Sequence, residues 1–142
     1  MDNQNITVMS KDIFVNIPVK SLNKSVDFFT KIGFSFNKQF TDEKGTLMIV
    51  NDKASVMLLT EEFFQSFSKK TIGNTEKSSE VIIALAADSK ADVDKQANKI
   101  KEAGGKIVDK IDEMDGAMYG IRFEDLDGHL WELFYMDMKA MQ

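Results

Sequence analysis

Glu132 stands in "FEDLDGHLWELFYM", residues 123–136, where Leu130, Trp131, Leu133, Phe134 and Tyr135 surround it with apolar side chains. A carboxylate in such a run needs a partner, because an unpaired buried charge costs several kcal/mol or takes up a proton. Three kinds of chemistry satisfy it: a metal ion, a cationic side chain, or a proton held for acid–base work. Arg122, the single arginine of the chain, lies ten residues upstream across the turn Asp125–Gly128. A hairpin there sets the two charges side by side when loop length puts them on one face. The other acidic candidate is Glu80, which opens the apolar run "VIIALA" and is followed on its own face by the small residues Ala84 and Ala86.

The single histidine, His129, is three residues from Glu132, so alternation along a strand turns it to the opposite face and predicts a structural role. Asp125 and Asp127 with Gly128 form a fragment of a calcium-loop pattern without the remaining ligand spacing. They are expected to bond their own turn instead. The absence of cysteine removes disulfides, thiolate metal sites and a cysteine nucleophile.

These side chains need a scaffold. "DIFVNIPV" alternates as a strand, and Ser21 caps a helix carrying Leu22, Val26, Phe29 and Ile32, which Gly33 stops. "FSFNKQF", "GTLMIV" and "ASVMLLT" read as three strands separated by turn sequences, followed by a short helical turn at "EEFFQSF". The polar stretch "SKKTIGNTEKSS" reads as a linker, after which the order restarts. "EVIIALA" is a strand, Asp88 or Ser89 caps a helix bearing Val93, Ala97 and Ile100, and "GKIVDKI", "MYGIRFE" and "HLWELFYM" complete the set. A βαβββ order thus occurs twice, which is the strongest signal in the chain.

The fold class is α+β: two tandem βαβββ modules forming a curved, largely antiparallel mixed sheet around a cleft, with helices outside. One domain covers residues 1–142, divided into a first module at 12–64, a linker at 65–79 and a second module at 80–137.

The balance of 43% hydrophobic and 29% charged residues is that of an ordinary globular chain. The N-terminal "MDNQNITVMSKD" has no apolar core segment and no run reaches membrane-spanning length, so the cytoplasm is the expected compartment and no membrane partner is expected. A net charge of −5 with scattered lysines argues against nucleic acid, and suits a cationic ligand. The methionines near the end, Met136, Met138 and Met141, suit an adaptable pocket or a subunit contact.

Over residues 12–137 the chain resembles the vicinal oxygen chelate superfamily of glyoxalases, bleomycin-resistance proteins and extradiol dioxygenases. The residues that carry the likeness are "FVNIPVKSLNKSVDFFTKIGF" and "FEDLDGHLWEL", the latter similar to the family's "DPDGHxxEL" with Leu126 in place of the proline. The resemblance implies metal ligation at Glu132 and, near the opening of the second module, at Glu80. It also implies ligands in the first module, where this chain has Phe14 in place of His or Gln and only Val56, Met57, Leu58 and Leu59 on the closing strand. With two ligand positions unfilled, the expectation is a weakly held divalent ion (Mn, Mg, Ni or Zn) or none.

Two functions follow from the resemblance. One is a glyoxalase-like enzyme in which an ion chelates two substrate oxygens and Glu132 is catalytic. The other is a metal-free protein that sequesters a drug or metabolite. Either way the expected pocket walls are Phe14, Asn16 and Leu58 from the first module and Ala84, Arg122 and Phe134 from the second. The family likeness further implies a homodimer around a small-molecule ligand.

Overall fold

The computed structural model describes residues 10–139; the N-terminal stretch read for a leader and Met141 lie outside the described residues, the former from residue 10 onward excepted. The first module runs β1 (Ile13–Val19), α1 (Leu22–Lys31), β2 (Ser35–Asn37), β3 (Gly45–Ile49) and β4 (Ala54–Thr60), with a short α2 (Glu61–Gln65) behind it. The second runs β5 (Ile82–Ala86), α3 (Lys90–Ala103), β6 (Lys106–Glu113), β7 (Met118–Glu124) and β8 (Leu130–Met136). Both modules have the same strand order, β1-β4-β3-β2 and β5-β8-β7-β6. In each, the opening strand pairs parallel with the closing strand and the other pairs are antiparallel. The repeated βαβββ order and the mixed sheets are therefore as the sequence implies. The strands hydrogen-bond as two separate four-stranded sheets, with β1 and β5 as the edges that carry no ladder to one another.

Local chemistry explains the helix limits. Ser21 accepts from the Lys24 N–H at the start of α1, and Ser89 accepts from Asp92 at the start of α3. Gly104 ends α3 at φ 103°, a left-handed value that a glycine adopts without steric cost. One strand is shorter than its pattern: "FSFNKQF" is extended only at Ser35–Asn37. The side chain of Asn37 accepts from Gln39 N–H and starts a 3-10 turn at Lys38–Phe40.

Alternation sorts each sheet into two faces. Ile17 and Val19 of β1, with Trp131 and Leu133 of β8, face inward with Phe28, Phe29 and Ile32 of α1 and Val93 and Ile100 of α3 in one continuous core. That core crosses the module boundary: the ring of Phe29 lies 5.3 Å from that of Trp131. Gln96 on α3 donates to the carbonyl of Ile32 at 2.6 Å, a second crossing. Burying these side chains, at about 25 cal/mol per Å² of apolar area, is what holds the two modules as one body. Among the described residues no helix is long and apolar enough to cross a membrane.

Candidate functional site

The turn before β8 sets the phase of the site. Asp125, only 6% exposed, accepts through Oδ1 from the backbone N–H groups of Asp127 (2.9 Å) and His129 (3.0 Å). Its Oδ2 accepts from Nε1 of Trp131 at 2.9 Å. This fastens Trp131 to the core side, so the next residue, Glu132, must emerge on the opposite face. Burial pushes the Asp125 carboxyl above its ordinary value, while the charge of His129 and the three donated hydrogen bonds act against that rise.

On that outward face the sheet register builds a row across four strands. Ala84 of β5 is level with Glu132, Glu132 with Arg122 of β7, and Arg122 with Asp109 of β6. Arg122 Nε donates to Glu132 Oε2 at 2.7 Å, and its Nη1 reaches Asp109 Oδ1 and Oδ2 at 3.2 and 3.3 Å. The guanidinium is held above its already high value, first by the bond to Glu132 and then by that to Asp109. Of the partners that the sequence left open for Glu132, the structure supplies the arginine. Phe134 and Gly120 are paired next to this row on the same face.

The other expected site residues divide. Phe14, 52% exposed, and Asn16 lie on the outward face of β1. Leu58 does not join them. It is level with Ile17 and fully buried in the core, because the parallel register matches Asn16 with Met57 and Phe14 with Ser55. Ser55 and Met57 therefore take the places that the sequence reading gave to Leu58. Glu80 precedes β5 and is exposed. Since Ala84 is the residue beside Glu132, Glu80 is displaced by four residues of chain, roughly 13 Å if extended.

This geometry bears on the divalent ion. Oxygen ligands of one ion sit about 2.0–2.6 Å from it, so two carboxylates must nearly touch to share it. Glu80 lies outside β5, four residues before the level of Glu132, and the guanidinium beside Glu132 repels a cation. Among the described residues no three His, Asp or Glu side chains gather into a ligand group. The donor set fits a guanidinium better than a divalent ion.

His129 tethers the modules: its Nε2 lies 2.7 Å from the Pro18 carbonyl, which fixes Nε2 as the protonated nitrogen. Asp127 was expected to bond its own turn but reaches into the first module instead. Its Oδ1 accepts from Lys20 N–H at 2.8 Å and its Oδ2 from Ser25 Oγ at 3.2 Å. Helix α1 has no acidic residue in its first turn, and Asp127 brings a carboxylate to that end from the other module.

A cavity of about 550 Å³ lies between β1 and the segment that leads into β5. Asn16 and Glu80 line it together with His129 and much of the segment 68–79, which had read as a polar linker. Glu132 and Arg122 do not line it. The only signal in the sequence was the apolar Ile72 within that polar run.

A profile of the Glyoxalase/Bleomycin resistance protein/Dioxygenase superfamily matches residues 13–133. No curated protein matches the chain. Among solved structures, it is similar to hypothetical protein SA1046 from S. aureus, with 30% identity and a TM-score of 0.77, covering 90% of this chain and 95% of that one. It is also similar to the fosfomycin resistance protein FosX from Listeria monocytogenes, at 20% identity, TM-score 0.69 and coverage of 95% and 100%. Lactoylglutathione lyase from Agrobacterium tumefaciens shares the fold at 13% identity, TM-score 0.68 and coverage of 93% and 98%.

Proposed function

Because this chain belongs to the glyoxalase/bleomycin resistance protein/dioxygenase superfamily, we propose that it binds a small organic molecule on the outward faces of its sheets without a resident divalent ion. The observation that carries this reading is the 2.7 Å bond between Arg122 Nε and Glu132 Oε2. It places a fixed positive charge against the carboxylate that the family resemblance assigns to a metal. Phe134 lies on the same face of β8, the outward face of β1 offers Phe14, and the row Glu132–Arg122–Asp109 carries one excess negative charge. With the chain's net charge of −5, this favours a planar cationic ligand.

The test is elemental analysis of protein purified without chelator or affinity metal, with thermal shifts in manganese, nickel and a planar cationic dye. A shift with the dye and no metal above trace supports the reading. Stoichiometric metal that is lost on Glu132→Gln overturns it.

A second reading, a lyase-like enzyme, is favoured by one observation: Glu132 Oε1 has no hydrogen-bond partner among the described residues. That oxygen is open to accept a substrate proton. The lyase reading requires turnover of a 2-oxoaldehyde or its thiol adduct that Glu132→Gln abolishes.

We also propose that two copies associate. Ile13, Phe14 and Ile82 are at least half exposed at the edges β1 and β5, where unpaired strands and apolar side chains occur together.

A further inference from the structure

We propose that the cavity between β1 and the segment leading into β5 is a second ligand site, separate from the Glu132–Arg122–Asp109 row, and that it takes an uncharged molecule with an apolar body and a hydroxyl or amide head. Its volume of about 550 Å³ falls within the roughly 300–1,000 Å³ of small-molecule sites.

The roof of the cavity is built, not loosely draped. Gln65 Nε2 donates to the carbonyls of Ser68 (2.7 Å) and Lys70 (2.6 Å), fixing the start of the segment. Thr75 Oγ1 donates to the Asp127 carbonyl at 2.5 Å, fixing its middle to the turn before β8. Between them Asn74 organises a turn, accepting from the N–H groups of Lys77 and Ser78 through its carbonyl and from Glu76 through its side chain. A site whose walls are already ordered loses less entropy on binding.

The lining combines two chemistries. Val15, Ile17 and Ile83 reach it from the two edge strands, and Phe64 and Ile72 from the segment that covers it. Beside them, the side chains of Thr71 and Ser79 in the covering segment have no protein hydrogen-bond partner among the described residues. They leave both donors and acceptors for a ligand. Lys70 and Glu80 both line the cavity, one of each sign. Their fields offset, so the cavity gains nothing from a net charge on the ligand, and a charged head would be desolvated without a matching surplus.

The test titrates the full-length ¹⁵N-labelled protein with 4-phenylbutan-1-ol, 4-phenylbutyrate and 4-phenylbutylamine, three probes with one apolar body and different head charges. The expected result is saturable amide shifts at Asn16, Ile83 and His129 with the alcohol, and at least tenfold weaker binding of the acid and the amine. Ser79→Trp and Thr71→Trp, each placing a large ring at a residue that lines the cavity, should each abolish saturation while the rest of the amide spectrum stays in place. Arg122→Ala should leave the alcohol's affinity unchanged. The proposal is overturned if the alcohol does not saturate, or if its shifts centre on Gly120, Arg122 and Glu132. Equal or tighter binding of a charged probe, or retention of binding in a spectrally intact Trp variant, overturns it as well.

Discussion

Arg122 and Glu132 are direct partners across β7 and β8, and the guanidinium that meets Glu132 at 2.7 Å also reaches Asp109 at 3.2 Å on the far strand. One cation thus serves two carboxylates in a line perpendicular to the strands. Side-chain exposure falls along that line, from 53% at Asp109 through 29% at Arg122 to 16% at Glu132. The bond to Glu132 is the less screened of the two, so it carries more of the interaction.

Arg122→Ala leaves Glu132, whose side chain is 16% exposed, on the face of Leu130 and Phe134 with no cation. The pair is only partly shielded, so the loss should be about 1–2 kcal/mol, below the roughly 3–5 kcal/mol of a fully buried pair. The same change takes away the charge that repels divalent ions. Urea unfolding should show the destabilisation, and manganese should raise the midpoint of the variant more than that of the wild type.

Asp125 predicts a pH dependence with a definite sign. Its folded-state pKa is raised, by burial first, so between the ordinary carboxylate value and the raised one the native state holds a proton that the unfolded chain has released. Below that window both states are protonated and the group contributes nothing. As pH rises through it, stability is lost, and above it the loss is constant. Relative to Asp125→Asn, the wild type should therefore lose stability as pH rises from about 4 through the carboxylate range. Unfolding followed by the fluorescence of Trp131, the single tryptophan, reads this difference. At neutral pH, Asp125→Ala strands three donors and should cost about 3 kcal/mol.

The scaffold was legible because alternation and capping are local: Ser21, Gly33, Ser89 and the opposite faces of His129 and Glu132 follow from neighbours a few residues away. The site was less so, because it depends on register between strands distant in sequence. Nothing in "ASVMLL" says that Met57 rather than Leu58 sits beside Asn16; the parallel pairing of β1 with β4 decides it. In the same way, pairing of β5 with β8 puts Ala84 beside Glu132 and leaves Glu80 behind. Asp127 carries all the marks of a turn residue, and only the packing of one module on the other turns its carboxylate to Lys20 and Ser25. The roof segment reads as linker for a related reason, since its bonds run from side chains to backbone carbonyls that no composition reveals.

Coupling between the modules can be measured at Asp127. Asp127→Ala should cost about 1–2 kcal/mol, because it frees the Lys20 N–H and the hydroxyl of Ser25, which is only 2% exposed. Ser25→Ala removes one of the two bonds and should cost less. In a double-mutant cycle by urea unfolding the two changes should be non-additive, since they share that bond. Additivity would mean that the contact contributes nothing to holding the modules together.

Association through the strand edges makes a prediction about mass in solution. Phe14→Glu puts a charge on the exposed apolar edge of β1 without touching the core, so the fold should survive. Light scattering should find the wild type as a dimer and the variant shifted toward monomer. A monomeric wild type at micromolar concentration would remove the edge-to-edge proposal.

Gly120 marks how closely β7 approaches β8 beside the charged row. A Cβ there would collide with the Leu133 carbonyl oxygen and lie 2.7 Å from the Phe134 Cα, both backbone atoms that cannot swing away. Gly120→Ala must therefore separate the two strands at the pair next to Arg122 and Glu132. The expected cost is about 2–3 kcal/mol, in the range of overpacked cores. Because the same displacement lengthens the Arg122–Glu132 bond, the variant should also show weaker coupling between those two residues in a double-mutant cycle. An unchanged coupling alongside the stability loss would mean that the row tolerates strand separation, and that Gly120 serves packing alone.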